Sequence, residues 1–168
     1  MDIRIRHARS QDLPAIVEIF NQGIRTRMST GYLTEVTVAD RKAWFKNHSP
    51  KTYPLLVAIC DDAVVGYISL DPYRAGREAF RHTTEASLFV HENFRGQGVG
   101  NLLLSAAVDA AWALGFTAIL AIVLDQNTGS IRLLEKHGFS QWGLFPEVGE
   151  IDGTRFNHLY FGLRLTPK

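Results

Sequence analysis

The stretch Arg95-Gly96-Gln97-Gly98-Val99-Gly100 constrains this chain more than any other. It lies between an apolar run, Ala86-Ser87-Leu88-Phe89-Val90, and a helix-like run beginning near Asn101, so the local order is strand, tight turn, helix. Such a turn directs successive backbone N–H groups into one concavity at a helix N-terminus. The positive end of the helix dipole lies there too, so the turn can hold phosphate oxygens without a lysine. Glycines in this pattern also serve a plain strand-to-helix connection, because glycine tolerates positive φ. The flanking chain has to decide between a pyrophosphate cradle and a tight turn.

Read in order, Ile3 and Ile5 alternate with arginines as a short strand, and Ser10-Gln11-Asp12 caps a helix running to about Arg25. Met28 to Leu33 has no period and reads as a loop. Thr37-Val38-Ala39-Asp40 has the form of a capping box for a short helix with Trp44 and Phe45 on an aromatic face, ending by His48-Ser49-Pro50. Leu55 to Cys60 and Val64 to Leu70 read as a hairpin across Asp61-Asp62-Ala63. A polar loop from Asp71 to His82 carries Arg74, Arg77 and Arg81, and strand character returns from Thr83 to Val90. A long amphipathic helix follows from Asn101 to Gly115. After it come a buried strand from Phe116 to Leu124, a short helix with Ile131, Leu133 and Leu134 inward, and strands at Gln141 to Phe145 and Arg155 to Leu165.

The order β-α-α-β-β-β-α-β-α-β-β makes a mixed α/β layer structure, read as one domain over residues 1–168. A doubly wound dinucleotide fold fits less well, since its glycine turn follows the first strand rather than a mid-chain meander. Charged residues make up 21% and the formal net charge is +1, which gives no reason to invoke nucleic acid or an anionic membrane. No apolar run approaches the roughly 18 residues of a membrane span, the N-terminus lacks the plan of a signal peptide, and a cytoplasmic protein is expected. The one cysteine, Cys60, sits in an apolar run and is expected to pack as a small apolar residue. No cluster of His, Cys, Asp and Glu has metal-ligand spacing, so no metal is expected.

With these residues in place, the chain resembles the GCN5-related N-acetyltransferase (GNAT) superfamily. Arg95, Gly98 and Gly100 match its pyrophosphate signature, and Asn127 followed by Ser130 through Lys136, Gly138 and Phe139 matches its later one. The resemblance covers essentially the whole chain and is closer to the phosphinothricin and methionine sulfoximine acetyltransferase branch. It rests there on Asn21, Arg41-Lys42-Ala43-Trp44-Phe45, Tyr53-Pro54, Gly66-Tyr67 and Thr83-Thr84-Glu85. It implies a mixed, mostly antiparallel central sheet flanked by helices, acetyl-CoA as cosubstrate, a small-molecule amine as acceptor, and a homodimer.

The resemblance further implies that backbone amides of Gly96, Gln97, Gly98, Val99, Gly100 and Asn101 hold the pyrophosphate, beside Arg95. Leu88, Phe89 and Val90 would pair with the pantetheine arm, and Asn127, with Ser130 behind it, would bond its amide portion. These roles need backbone, so alanine at Gln97 or Val99 is expected to do little and a larger residue at Gly98 or Gly100 to do much. Glu85 takes the family's general-base position, which the chemistry requires because an amine attacks a thioester only as the free base; a solvated strand-end carboxylate is the bland alternative. The position of the family's tyrosine acid is Leu134, which cannot donate, leaving His137, Tyr160 or solvent. For the acceptor, Arg74, Arg77 and Arg81, with His82 and Thr83 at the end of their loop, could grip a carboxylate or phosphinate, and Tyr32 could form an aromatic wall.

The function that follows is acetylation of the α-amine of a small amino acid or analogue, of the phosphinothricin or methionine sulfoximine/sulfone type, or related arsenic or phosphorus analogues. The alternatives are an acetyltransferase of another small amine or of a protein N-terminus, and a non-catalytic CoA-binding module.

Overall fold

The computed structural model describes residues 2–165. Its elements run β1 (Arg4–His7), α1 (Leu13–Arg25), α2 (Val38–Lys46), β2 (Leu55–Cys60), β3 (Ala63–Pro72), β4 (Thr83–Val90), α3 (Val99–Ala113), β5 (Ala118–Leu124), α4 (Thr128–Lys136), β6 (Ser140–Ile151) and β7 (Thr154–Arg164). This is the order expected from the sequence. The strands form one seven-stranded sheet in the order β1-β2-β3-β4-β5-β7-β6. Every neighbouring pair is antiparallel except β4 and β5.

Period-2 alternation explains how the sheet is covered on both faces. All six residues of β2 are buried. Leu56, Ala58 and Cys60 join a core beneath α3 and α4, while Leu55, Val57 and Ile59 join a second core with Ile16, Ile19, Phe20 and Ile24 of α1. Cys60 is thus a packed, free thiol. Among the described residues no helix is long and apolar enough to cross a membrane.

Two polar devices fix the chain that caps one end of the sheet. Asn21, buried on α1, donates to Val36 O at 2.9 Å and accepts from Val36 N at 3.0 Å, so its side chain pairs with the loop backbone like a strand residue. Thr37 and Asp40 then close the expected capping box at the start of α2. The loop from Thr26 to Val36, which carries Tyr32, is held at its far end by these contacts.

Two elements, α3 and β6, differ most from the sequence reading. α3 begins at Val99 rather than Asn101, because Gly98 adopts the left-handed conformation (φ 86°) and the helix starts at the next residue. β6 is twelve residues long rather than five. Register shifts between Gln141 and Gly143 and between Phe145 and Gly149, with Glu147 at φ 50°, break its alternation. Asp152 and Gly153, both at positive φ, close the β6–β7 hairpin, a signal the sequence did carry.

Val99 is the substantive correction. Its side chain is 1% exposed in the core under α3, where Gly66 lets the helix approach so closely that an added Cβ would stand 3.2 Å from Val99 Cγ1. Val99→Ala removes two buried methyl groups and is expected to cost about 2 kcal/mol of stability in denaturant unfolding. Gln97→Ala, at a side chain that only donates to Asn93 O, is expected to leave the unfolding midpoint unchanged.

Candidate active site

The site exists because β4 and β5 pair for only three residues. Thr83, Thr84 and Glu85 face Ala118, Ile119 and Leu120. Among the described residues, β4 beyond Glu85 pairs only with β3, and β5 beyond Leu120 only with β7. Two adjoining cavities occupy the resulting gap, one of 420 Å³ at the Glu85 end and one of 490 Å³ at the glycine turn. Leu88, Phe89, Asn127, Ser130 and Leu133 line both.

The 490 Å³ cavity brings together most of the residues expected at the pyrophosphate: Leu88, Phe89, Val90, Arg95, Gly96, Gly98, Gly100, Asn101, Asn127 and Ser130. Gly96 and Gly98 have positive φ, and nothing lies within 4 Å of where their Cβ atoms would be, so the turn faces open space. Among the described residues no side chain caps α3, which leaves its first-turn N–H groups without an intrahelical partner or a competing oxygen. This chemistry fits a phosphate. At Gly100 an added Cβ would meet Leu133 Cδ2 at 3.0 Å, so glycine there sets the approach of α3 to α4. Arg95 Nε donates to Val90 O at 3.2 Å, tying the turn to the end of β4, and Asn127 Oδ1 accepts from Ser130 N at 3.2 Å as the cap of α4. Gln97 and Val99 do not line the cavity with their side chains.

At the other end, Glu85 is half-buried in the wall of the 420 Å³ cavity. Its cross-strand partner is Asp71 of β3, so two carboxylates share one face of adjacent strands. Burial, and then the charge of Asp71, push the Glu85 carboxyl above the usual carboxylate range. Asp71 goes the other way: burial would raise it, but the His48 ring, 3.2 Å away, and the Ser69 hydroxyl, donating at 2.7 Å, hold it below its ordinary value. The pair is thus divided into one firmly ionised carboxylate and one poised to take a proton.

Tyr32 lines this cavity, edge-on to Phe20 with ring centroids 5.1 Å apart. Leu134 also lines it and is buried. His137 is bonded to Asn101 Oδ1 at 3.2 Å and lines neither cavity; burial holds its pKa down. Tyr160 lines neither cavity, and its phenol is pushed up by burial and by the Tyr73 and Glu85 groups.

The loop arginines are not brought to Glu85. Arg74, Arg77 and Arg81 line a separate depression of 270 Å³ beside Tyr73 and Phe80. Arg81 Nη1 donates to Glu78 O of its own loop, while the charge of Arg74 alone reaches Tyr160. His82 is exposed and serves through its carbonyl, which accepts from Thr117 N at 2.8 Å, and Thr83 pairs with Ala118. A loop rich in guanidinium groups gives no clue to its direction, and here a short turn at Glu78–Phe80 aims it at its own depression.

The cavity holds instead residues that sequence reasoning assigned to packing or left without a role: Arg41, Trp44, Tyr67, Ser69, Asp71 and His158. Period 2 along β3 puts Tyr67, Ser69 and Asp71 on one face, and period 3.6 along α2 puts Arg41 beside Trp44, so both signals were present. His158 is held below its ordinary pKa by burial. Among the described residues no group of three His, Cys, Asp or Glu side chains could hold a metal ion.

Comparison with known proteins agrees with this geometry. The sequence profile described as the Acetyltransferase (GNAT) family matches residues 16–139. The chain is 36% identical over 170 residues to the L-methionine sulfoximine/L-methionine sulfone acetyltransferase of Pseudomonas aeruginosa, covering 99% of this chain and 97% of the other. It is 34% identical to the L-amino acid N-acyltransferase MnaT of Escherichia coli, covering 98% and 95%. Among solved structures, a GNAT superfamily phosphinothricin acetyltransferase from Sinorhizobium meliloti in complex with AcCoA superimposes with a TM-score of 0.93 at 30% identity, covering 98% of this chain and 89% of that one. With its profile match spanning most of the chain and its sheet splayed around a glycine turn, this protein belongs to the GNAT acetyltransferase family.

Proposed function

We propose that the protein transfers an acetyl group from acetyl-CoA to the α-amine of a small amino acid or analogue of the methionine sulfoximine, methionine sulfone or phosphinothricin type, detoxifying it in the cytoplasm. The observation that carries this reading is the Glu85–Asp71 carboxylate pair at one end of a cleft whose other end is an uncapped helix N-terminus. The relatives' activities on methionine sulfone and on amino acids support the choice of acceptor.

Acetyl-CoA, when bound, supplies an activated thioester carbonyl and a thiolate leaving group. The amides from Gly96 to Asn101 and the α3 dipole hold its pyrophosphate, and Leu88 to Val90, free of β5, offer main-chain groups to its arm. Glu85 removes the proton from the acceptor ammonium, directly or through one water, freeing the nitrogen lone pair. Burial and the charge of Asp71 make it a stronger base than an ordinary carboxylate. A main-chain N–H within Leu88 to Val90 stabilises charge building on the carbonyl oxygen. Leu134 offers no proton, and none is required of α4, because a thiol of pKa about 8.5 departs readily as its anion.

The exposed apolar side chains of β6, Trp142, Leu144, Phe145 and Val148, lie at the sheet edge and support pairing with a second copy as a homodimer.

With methionine sulfone as acceptor and thiol release as readout, Glu85→Gln is expected to lower kcat by about 10²- to 10⁴-fold with CoA affinity retained. A protein that binds CoA and releases no thiol with any amine would be a binding module instead. Asp71→Asn removes a charge that raises Glu85, so Glu85 ionises at lower pH. The acidic limb of kcat/KM, along which activity falls as the base becomes protonated, then moves to lower pH; an unmoved limb would remove Asp71 from the proton-transfer scheme. Gly98→Val, which forces a side chain into φ +86° at the mouth of the cradle, is expected to raise the KM for acetyl-CoA at least tenfold and to leave that of the acceptor much less affected.

A further inference from the structure

Two polar groups in the wall of the Glu85 cavity are buried with no well-formed hydrogen bond among the described residues: Nε of Arg41 and the phenol oxygen of Tyr67, which has the Arg41 guanidinium as a near neighbour. A buried donor left without a partner costs roughly 1–3 kcal/mol, so a fold rarely keeps two in one wall without a use for them. Neither is explained by packing alone.

Arg41 is held rigidly. Its guanidinium carbon lies 3.9 Å from the centroid of Trp44 and 4.6 Å from that of Phe20, so two aromatic rings fix the plane of the charge. Among the described residues it forms no ion pair, although Asp71 and Glu85 line the same cavity. Tyr67 is 1% exposed, and burial pushes its phenol well above the ordinary value despite the pull of the Arg41 charge. It therefore stays protonated at any physiological pH and can serve an anion as a donor.

The cavity is thus polarised. Two carboxylates, Asp71 and Glu85, stand toward one end of its β3–β4 wall, while Tyr67, four residues earlier on the same face of β3, lies beside the fixed cation that α2 contributes. A free amino acid has the complementary shape, with an ammonium and a carboxylate one carbon apart. We propose that Arg41 and Tyr67 form the subsite for the carboxylate of the acceptor, and so turn its α-amine toward Glu85. A planar guanidinium grips a carboxylate through two parallel hydrogen bonds, and the phenol adds a third. Amines that lack a carboxylate would leave these donors buried and unpaired, so the subsite selects as well as orients. This inference rests on the reading that the acceptor is an amino acid.

The test is calorimetric binding of methionine sulfone and of its carboxamide to the CoA-loaded protein, with thiol release measured separately using acetyl-CoA. The native chain is expected to bind the free acid at least tenfold more tightly than the carboxamide. Arg41→Gln is expected to bring the two within about threefold, and Tyr67→Phe to narrow the gap partway. Lys42→Gln, which removes an equal charge from the exposed side of α2, should keep the preference intact. CoA affinity and melting temperature report whether each variant is folded, and Arg41→Lys, which keeps the charge but not the fork, should recover only part of the preference. Equal affinities in the native chain, no binding of either compound, or an undiminished preference in folded Arg41→Gln would overturn the subsite. Selective binding with no thiol release would uphold the subsite and overturn the catalytic reading instead.

Discussion

The structure depends on a sheet that stops being continuous halfway along its centre. β4 and β5 are joined by three residue pairs and then part, and Glu85 is the last residue of β4 to have a partner on β5. Main-chain groups in the middle of a sheet are ordinarily satisfied by their neighbours. Here a stretch of β4 is left without a neighbour strand, in a gap roofed by α3, α4 and α2, and that stretch becomes available to a ligand. Both cavities lie along this one interruption, with Glu85 at its start and the glycine turn at its far end.

Such an interruption is tolerable only if the sheet is held firmly elsewhere. The outer strands supply this: β2 is buried on both faces, one beneath α3 and one beneath α1, so the β1–β4 half has a core on each side. The β5–β7 half is secured by the long β6–β7 hairpin and by Phe139, Leu159 and Phe161, which reach the core under α3. Two well-packed halves meeting at a short seam leave room between them without leaving either half unstable.

Much of this was legible in the sequence because the signals were local. The strand from Thr83 to Val90, the Thr37–Asp40 box and the turn at Gly98 each carry their own instruction in a few residues. The glycine-lined cavity, built from main chain, was legible for the same reason. The Glu85 cavity was legible only in part, in Glu85 and Tyr32. Arg74, Arg77 and Arg81 look like an anion site in sequence, yet their loop turns into a separate depression, whereas Arg41 and Asp71 meet only through the packing of α2 on β3. Val99 misled in the opposite way: within a turn read as backbone, it is a core residue. β6 was truncated in the reading because bulges disrupt the alternation that identifies a strand.

The contrast between the two ends of the cleft bears on how such a protein can change over time. The turn at Gly96 to Asn101 presents peptide groups, whose chemistry is the same whatever side chains surround them, so on the proposed reading few substitutions can retune it and most either spare it or destroy it. The opposite end is assembled from side chains of separate elements, and the lip bearing Tyr32 is tied down at its far end by Asn21, bonded both ways to Val36. If the proposed sites hold, drift in the α1–α2 segment can exchange one acceptor for another while the glycine turn, on different elements, stays untouched. One lineage of this fold is in that sense two separately inherited parts, a fixed handle and an interchangeable jaw.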